Sequence, residues 1–179
     1  MKDFLLQIYN SSKLLNDNRN KSGEIIFKKN NFKLTAYGDY VSFDYKNSQI
    51  FIFGHIDYIN FSKKKKFSFK NKDTFKELKK NIVKTNKHKM IEGYYCCIIF
   101  NKNNVTIFSD NNKSYEIFYQ SSKNSIKISN FMDLEKRNNQ KKDLNQNSMI
   151  NVLNTYGNYA PKKNTIYKNI NRLGLNQFF

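Results

Sequence analysis

"GYYCCIIF", residues 93–100, and "QIFIFGHIDYI", residues 49–59, decide how this chain folds. Both are rich in β-branched and aromatic residues, which favours strands. The second holds one glycine, Gly54, and a glycine inside a strand often marks a bulge or a close backbone approach. The first stretch also contains the only two cysteines of the chain, Cys96 and Cys97. Consecutive residues on a strand point to opposite faces, so these thiols cannot converge on one metal or one substrate. A zinc knuckle needs two residues between its thiols and further ligands elsewhere. Cysteine is among the most buried residue types and packs as a small hydrophobe. Both thiols are therefore expected in the core.

The rest of the chain is consistent with a folded, strand-rich protein. Its 179 residues suit one domain. Aromatic residues make up 16% and the hydrophobic set 39%, whereas disordered chains are poor in aromatics. No stretch approaches the roughly 18 apolar residues of a membrane span. "FLLQIY" is too short for a signal-peptide core, and no small-residue cleavage site follows it. A cytoplasmic protein with no membrane partner is expected.

The formal net charge is +18. A basic chain invites a nucleic-acid reading, because clustered cations release phosphate counterions. Only Arg19, Arg137 and Arg172 are arginines among the 32 basic residues, and arginine is the favoured reader of phosphates and bases. The lysines run through the whole chain beside abundant asparagine, and both residues have A/T-rich codons. The densest run, Lys63–Lys66, lies between two strand-like segments and reads as a solvated loop. Nucleic acid is not the expected partner on this basis, although a basic nucleic-acid-binding module remains the alternative.

Strand-like segments are expected at Phe4–Tyr9, Glu24–Phe27, Phe32–Tyr37, Tyr40–Tyr45, Gln49–Ile59, Gly93–Phe100, Val105–Ser109, Glu116–Gln120 and Ser125–Ser129. Polar turns such as "KKNN", "NKNN" and "SSKN" connect several of them. Over Asp73–Lys87 the period changes. Phe75, Leu78, Ile82 and Val83 form one apolar stripe on a lysine-covered helix, which Asp73 or Thr74 can cap. A polar linker spans about 136–147. A second helix is expected near Ser148–Thr155, with Met149, Ile150, Val152 and Leu153 as its apolar face and Gly157 as its cap. The segment 148–179 is expected to pack on the sheets. Many strands, few helices and no strict alternation predict an α+β protein with helices packed on antiparallel sheets.

Three stretches, in order, resemble the N-terminal glutaminase domain of asparagine synthetases, the class II glutamine amidotransferases. "IFGHIDYIN" stands where that family carries a strand reading Asn-Gly-Glu-Ile-Tyr-Asn. "KDTFKELKK", followed by "IEGYYCCIIFNKNNVTIFSDNNKSYEIFY", is similar to its helix start and paired strands. "INVLNTYGNYAPKKNTIYKNINRLGLNQFF" resembles its closing segment through the spacing of Tyr156, Gly157, Pro161, Thr165, Ile166, Lys168 and Leu173. The resemblance spans most of residues 1–179. It implies a single domain with the N-terminal-nucleophile hydrolase fold, a four-layer αββα sandwich of two mainly antiparallel sheets.

Carried over residue by residue, the resemblance keeps the scaffold and loses the chemistry. The family's nucleophile is a cysteine directly after the initiator Met, activated by its own α-amine. Lys2 occupies that position here. The family's Asn and Glu of the substrate pocket are Phe53 and His55, with Gly54 kept between them. Asp73 matches the Asp that binds the glutamine amine, although a plain helix cap is its simpler role. The arginine clamp on the substrate carboxylate has no counterpart, and the family's Arg-Asp pair is reduced to Ser109-Asp110. His55 and Asp57 share a strand face, and a surface His explains them more simply than an acid–base pair. His88 lies in a charged turn. Catalytic residues, metal and cofactor are expected to be absent.

No Gly-Gly pair occurs, so the pyrophosphate loop of the family's ATP-pyrophosphatase domain has no match. The resemblance then implies a non-catalytic glutaminase-like scaffold whose partner is an ATP-pyrophosphatase synthetase domain or subunit. An active amidohydrolase with another nucleophile is a further alternative.

Overall fold

The computed structural model describes residues 3–10, 23–60, 65–68, 70–82, 91–110, 112, 114–132, 143–154 and 165–173. Lys2, His88 and Gly157 lie outside these residues. Among the described residues, two antiparallel sheets and two helices make up two compact units.

Among the described residues, the first unit draws on those up to Asp39 and those from Glu116 to Leu173. Its strands are β1 (Asp3–Tyr9), β2 (Glu24–Lys29), β3 (Phe32–Tyr37), β9 (Phe118–Ser121), β10 (Ser125–Ser129) and β11 (Asn171–Arg172), in the order β11-β9-β10-β1-β3-β2. Every pairing is antiparallel. The "KKNN" turn works because Asn30 takes a left-handed conformation, φ 51°, which asparagine tolerates. β1 is central, and Phe4 and Leu6 on one face and Leu5 on the other are buried. On the Leu5 side, Phe118 and Ile170 complete a small core under Tyr37, Phe131 and Tyr167. Asp3 and Asn130 tie the start of β1 down: Asn130 donates to the Asp3 carboxylate at 2.7 Å and accepts from the Phe4 amide at 3.0 Å.

The second helix of the chain, α2, runs Gln146–Asn154. It begins inside the expected polar linker, where Asn145 caps it by accepting from the Ser148 amide at 3.2 Å. Its orientation departs from the apolar stripe in the sequence: Ile150 is 53% exposed, whereas Ser148 is buried.

The second unit spans Tyr40–Tyr115. Its strands are β4 (Tyr40–Tyr45), β5 (Ser48–Asn60), β6 (Lys65–Lys66), β7 (Glu92–Phe100) and β8 (Val105–Ser109), in the order β4-β5-β7-β8 with β6 on β5. The Lys63–Lys66 run, read as loop, is thus partly paired: Lys66 stands opposite Tyr58. β5 and β7 contain the apolar stretches 49–59 and 93–100, and they pair from Gln49↔Phe100 to Tyr58↔Glu92. Both faces of this pair are buried. One face carries Ile50, Ile52, Tyr95, Cys97 and Ile99; the other carries Phe51, Phe53, Cys96 and Ile98. This burial on both sides explains the near-continuous apolar composition.

Helix α1 (Lys72–Ile82) lays Leu78 and Ile82 on the first of these faces, against Ile50, Ile52 and Cys97. The rest of the expected helix, 83–87, lies outside the described residues. Its cap is Asn71 rather than Asp73 or Thr74. Asn71 Oδ1 accepts from the amides of Asp73 and Thr74 at 3.0 and 3.3 Å. Thr74 instead turns its hydroxyl to the carbonyls of Ser68 and Asn71. No helix among the described residues is long and apolar enough to cross a membrane.

Candidate functional site

Phe53, Gly54 and His55 stand in β5 opposite Cys96, Tyr95 and Tyr94 of β7. Gly54 has φ 96°, and a Cβ there would lie 2.1 Å from the Tyr94 carbonyl oxygen. Two pairs along the ladder, Gly93 has φ 151°, and its Cβ would lie 2.4 Å from the His55 carbonyl oxygen. The two backbones thus approach reciprocally on either side of the His55–Tyr94 pair. Only glycine fits at Gly54, because a side chain there meets backbone that cannot move aside.

Phe53 is fully buried. Its ring lies 6.0 Å from that of Tyr40 on β4, and Cys96 is its partner on β7. The position where the resemblance asks for a polar pocket residue is therefore a packed aromatic one. His55 is two residues on, on the same face but past the covered part of the sheet. Its side chain is 60% exposed, with Nε2 3.7 Å from Asp57 Oδ2. That distance is an ion-pair contact when the imidazole is protonated, and it is too long for a hydrogen bond. The His55 ring lies 6.0 Å from the half-exposed Tyr94 ring, which in turn packs 4.9 Å from Tyr115.

Asp73 is not brought to these residues. It is exposed in the first turn of α1, and α1 packs on the sheet face carrying Ile50 and Ile52. The side chains of Phe53 and His55 project from the other face.

The two cysteines form no disulfide and are fully buried, on opposite faces of β7. Burial, with a smaller contribution from Cys96, pushes the Cys97 thiol well above its ordinary value. The neutral thiol is a poor nucleophile. Burial likewise raises the Tyr95 hydroxyl well above its usual value, with Cys97, Asp110 and Glu92 adding to the effect. That hydroxyl is buried without a hydrogen-bond partner.

Asp110, noted in the sequence only as the remnant of a pair, proves to be a structural clip. It is buried, its two carboxylate oxygens accept from the amides of Ser114 and Tyr115 at 2.9 Å each, and its own amide donates to the Tyr95 carbonyl. Two amide donors satisfy a buried carboxylate, which holds the chain as it leaves β8. Spacing alone gave no sign of this, since Ser114 and Tyr115 contribute backbone only.

Among the described residues, no group of three or more His, Cys, Asp or Glu side chains is placed to hold a metal. A shallow cleft of about 330 Å³ lies beside the site, lined by Ile56, Asp57, Tyr58, Lys66 and Phe67. Compared with known families and curated proteins, the sequence matches none.

Proposed function

We propose that this chain is a glutaminase-like domain that has lost its nucleophile and acts as a non-catalytic partner of an ATP-pyrophosphatase synthetase domain, in the same chain or on another subunit. In this reading the fold is of the N-terminal-nucleophile hydrolase type that the resemblance implies. The observation that carries it is Phe53. A residue that must polarise a substrate amide has to reach solvent or substrate with a polar group, and Phe53 is a buried ring. Its neighbour Gly54 is retained for a backbone reason. The burial of both thiols adds support, because neither reaches a substrate, and burial also holds Cys97 in its neutral form.

Two measurements test the proposal. Purified protein incubated with saturating glutamine is expected to release no ammonia above the buffer rate, and Lys2→Cys is expected to leave that unchanged. Ammonia release that one substitution in this chain abolishes would overturn the non-catalytic reading. Where an ATP-pyrophosphatase protein is encoded separately beside it, co-elution on size exclusion is expected, and separate elution of the two would remove the partner role on another subunit.

A further inference from the structure

The lysines are less evenly spread than their abundance suggests. Residues 63–89 hold 12 lysines against two acids, Asp73 and Glu77, a net +10 of the chain's +18. The other 152 residues share the remaining +8. Codon bias acts along a whole gene, so it does not account for this concentration.

Within the stretch, α1 provides a rigid platform. Leu78 and Ile82 fix one side of it on β5, and Lys72, Lys76 and Lys80 remain exposed. They recur at four-residue spacing, which stacks them on one helix face about 6 Å apart along the axis. Lys70, just before α1 in the chain, and Lys66 on β6 are exposed as well. Among the described residues, no ion pair engages any of these five. Like charges at this spacing repel and destabilise a helix. A polyanion would relieve that repulsion.

We infer that the Lys72–Lys76–Lys80 face of α1, with Lys66 and Lys70, binds the phosphate backbone of nucleic acid without reading its sequence. Three features select this ligand. The apolar side of α1 is already buried on β5, so the helix has no apolar face to insert into a membrane interface. Protein interfaces are poor in lysine and centre on aromatic and arginine anchors, and this face offers neither. Lysine acts as a point charge on phosphate and carries no base-reading fork. The inference is independent of the proposed partner role.

The test is fluorescence anisotropy of labelled 20-nucleotide single-stranded and duplex DNA. Binding is expected at 50 mM salt, and about four neutralised phosphates predict roughly 150-fold weaker duplex binding at 200 mM. Lys72→Gln/Lys76→Gln/Lys80→Gln keeps good helix formers on α1 and is expected to flatten the log–log salt slope by about 2.7. Lys28→Gln/Lys102→Gln/Lys123→Gln removes the same charge from exposed positions elsewhere and is expected to leave the slope unchanged. Equal slopes for the two triple variants would overturn the inference, as would no binding to either DNA at 50 mM. Adsorption to phosphatidylserine vesicles in place of DNA would overturn it as well.

Discussion

Replacing Phe53 by Asn restores the residue type that the resemblance expects, and it separates a filled core from an open pocket. Phe53 is fully buried between Tyr40 and Cys96. Removing a buried phenyl ring costs about 3–5 kcal/mol in lost transfer energy and residual cavity. The new amide has no partner at this site, which adds about 1–3 kcal/mol. The total, about 4–8 kcal/mol, is comparable with the whole stability of a domain, about 5–15 kcal/mol. With a urea m-value of about 2 kcal/mol per M, the midpoint falls by about 2 M or more, or the variant fails to fold. Urea unfolding followed by tyrosine fluorescence measures this. Phe53→Leu, run in parallel, is expected to fold with a smaller loss, which separates packing from any general intolerance of the strand. A Phe53→Asn midpoint within about 0.5 M of the parent would refute the reasoning. It would mean that position 53 faces a hydrated pocket able to solvate an amide, and the non-catalytic reading would lose its main support.

Two further outcomes follow from the same unit. Cys97 and Tyr95 have folded-state pKa values above their ordinary 9.0 and 10.0. Above those values the unfolded chain gives up protons that the folded chain keeps, so stability falls as pH rises, by about 1.4 kcal/mol per pH unit for each group. Tyr95→Phe also removes a buried hydroxyl without a partner. It is expected to be neutral or stabilising at pH 8 and to gain on the parent above pH 10, whereas parallel midpoint-against-pH curves would show that Tyr95 is hydrated. At the start of α1, Asn71→Ala is expected to cost about 0.5–2 kcal/mol through loss of the cap, and Asp73→Ala less; the reverse order in thermal melts would assign the capping role to Asp73.

What the sequence disclosed depended on how local the deciding interaction is. The long strands were legible because pairs such as "FIF" and "CCIIF" leave no polar face on which to build a helix. β6 and β11, two residues each, were not legible: their composition, Lys-Lys and Asn-Arg, says nothing, and only the pairing with Tyr58 and Phe118 makes them strands. The α1 cap was ambiguous because Asn71, Asp73 and Thr74 are all capping residues. The contact of Thr74 with Ser68, six residues away, decides among them. The apolar stripe on α2 misled for a related reason, since burial of Ser148 and exposure of Ile150 are set by what surrounds the helix rather than by its own period.

The candidate site shows the same division, and there it bears on function. Gly54 looked like a surviving piece of a glutaminase pocket. Its φ of 96° and the Tyr94 carbonyl, which stands where a Cβ would have to go, give it a reason to persist that involves no substrate. Phe53 and His55 have no such backbone constraint, and they are the positions that differ from the resembling pattern. A backbone requirement outlasts a chemical one because losing it costs the fold itself, whereas losing a pocket side chain costs only turnover. Under the proposed reading, therefore, the retained glycine argues for common architecture and carries no weight for activity. The burial of Phe53 is the observation on which the claim of lost chemistry must stand or fall.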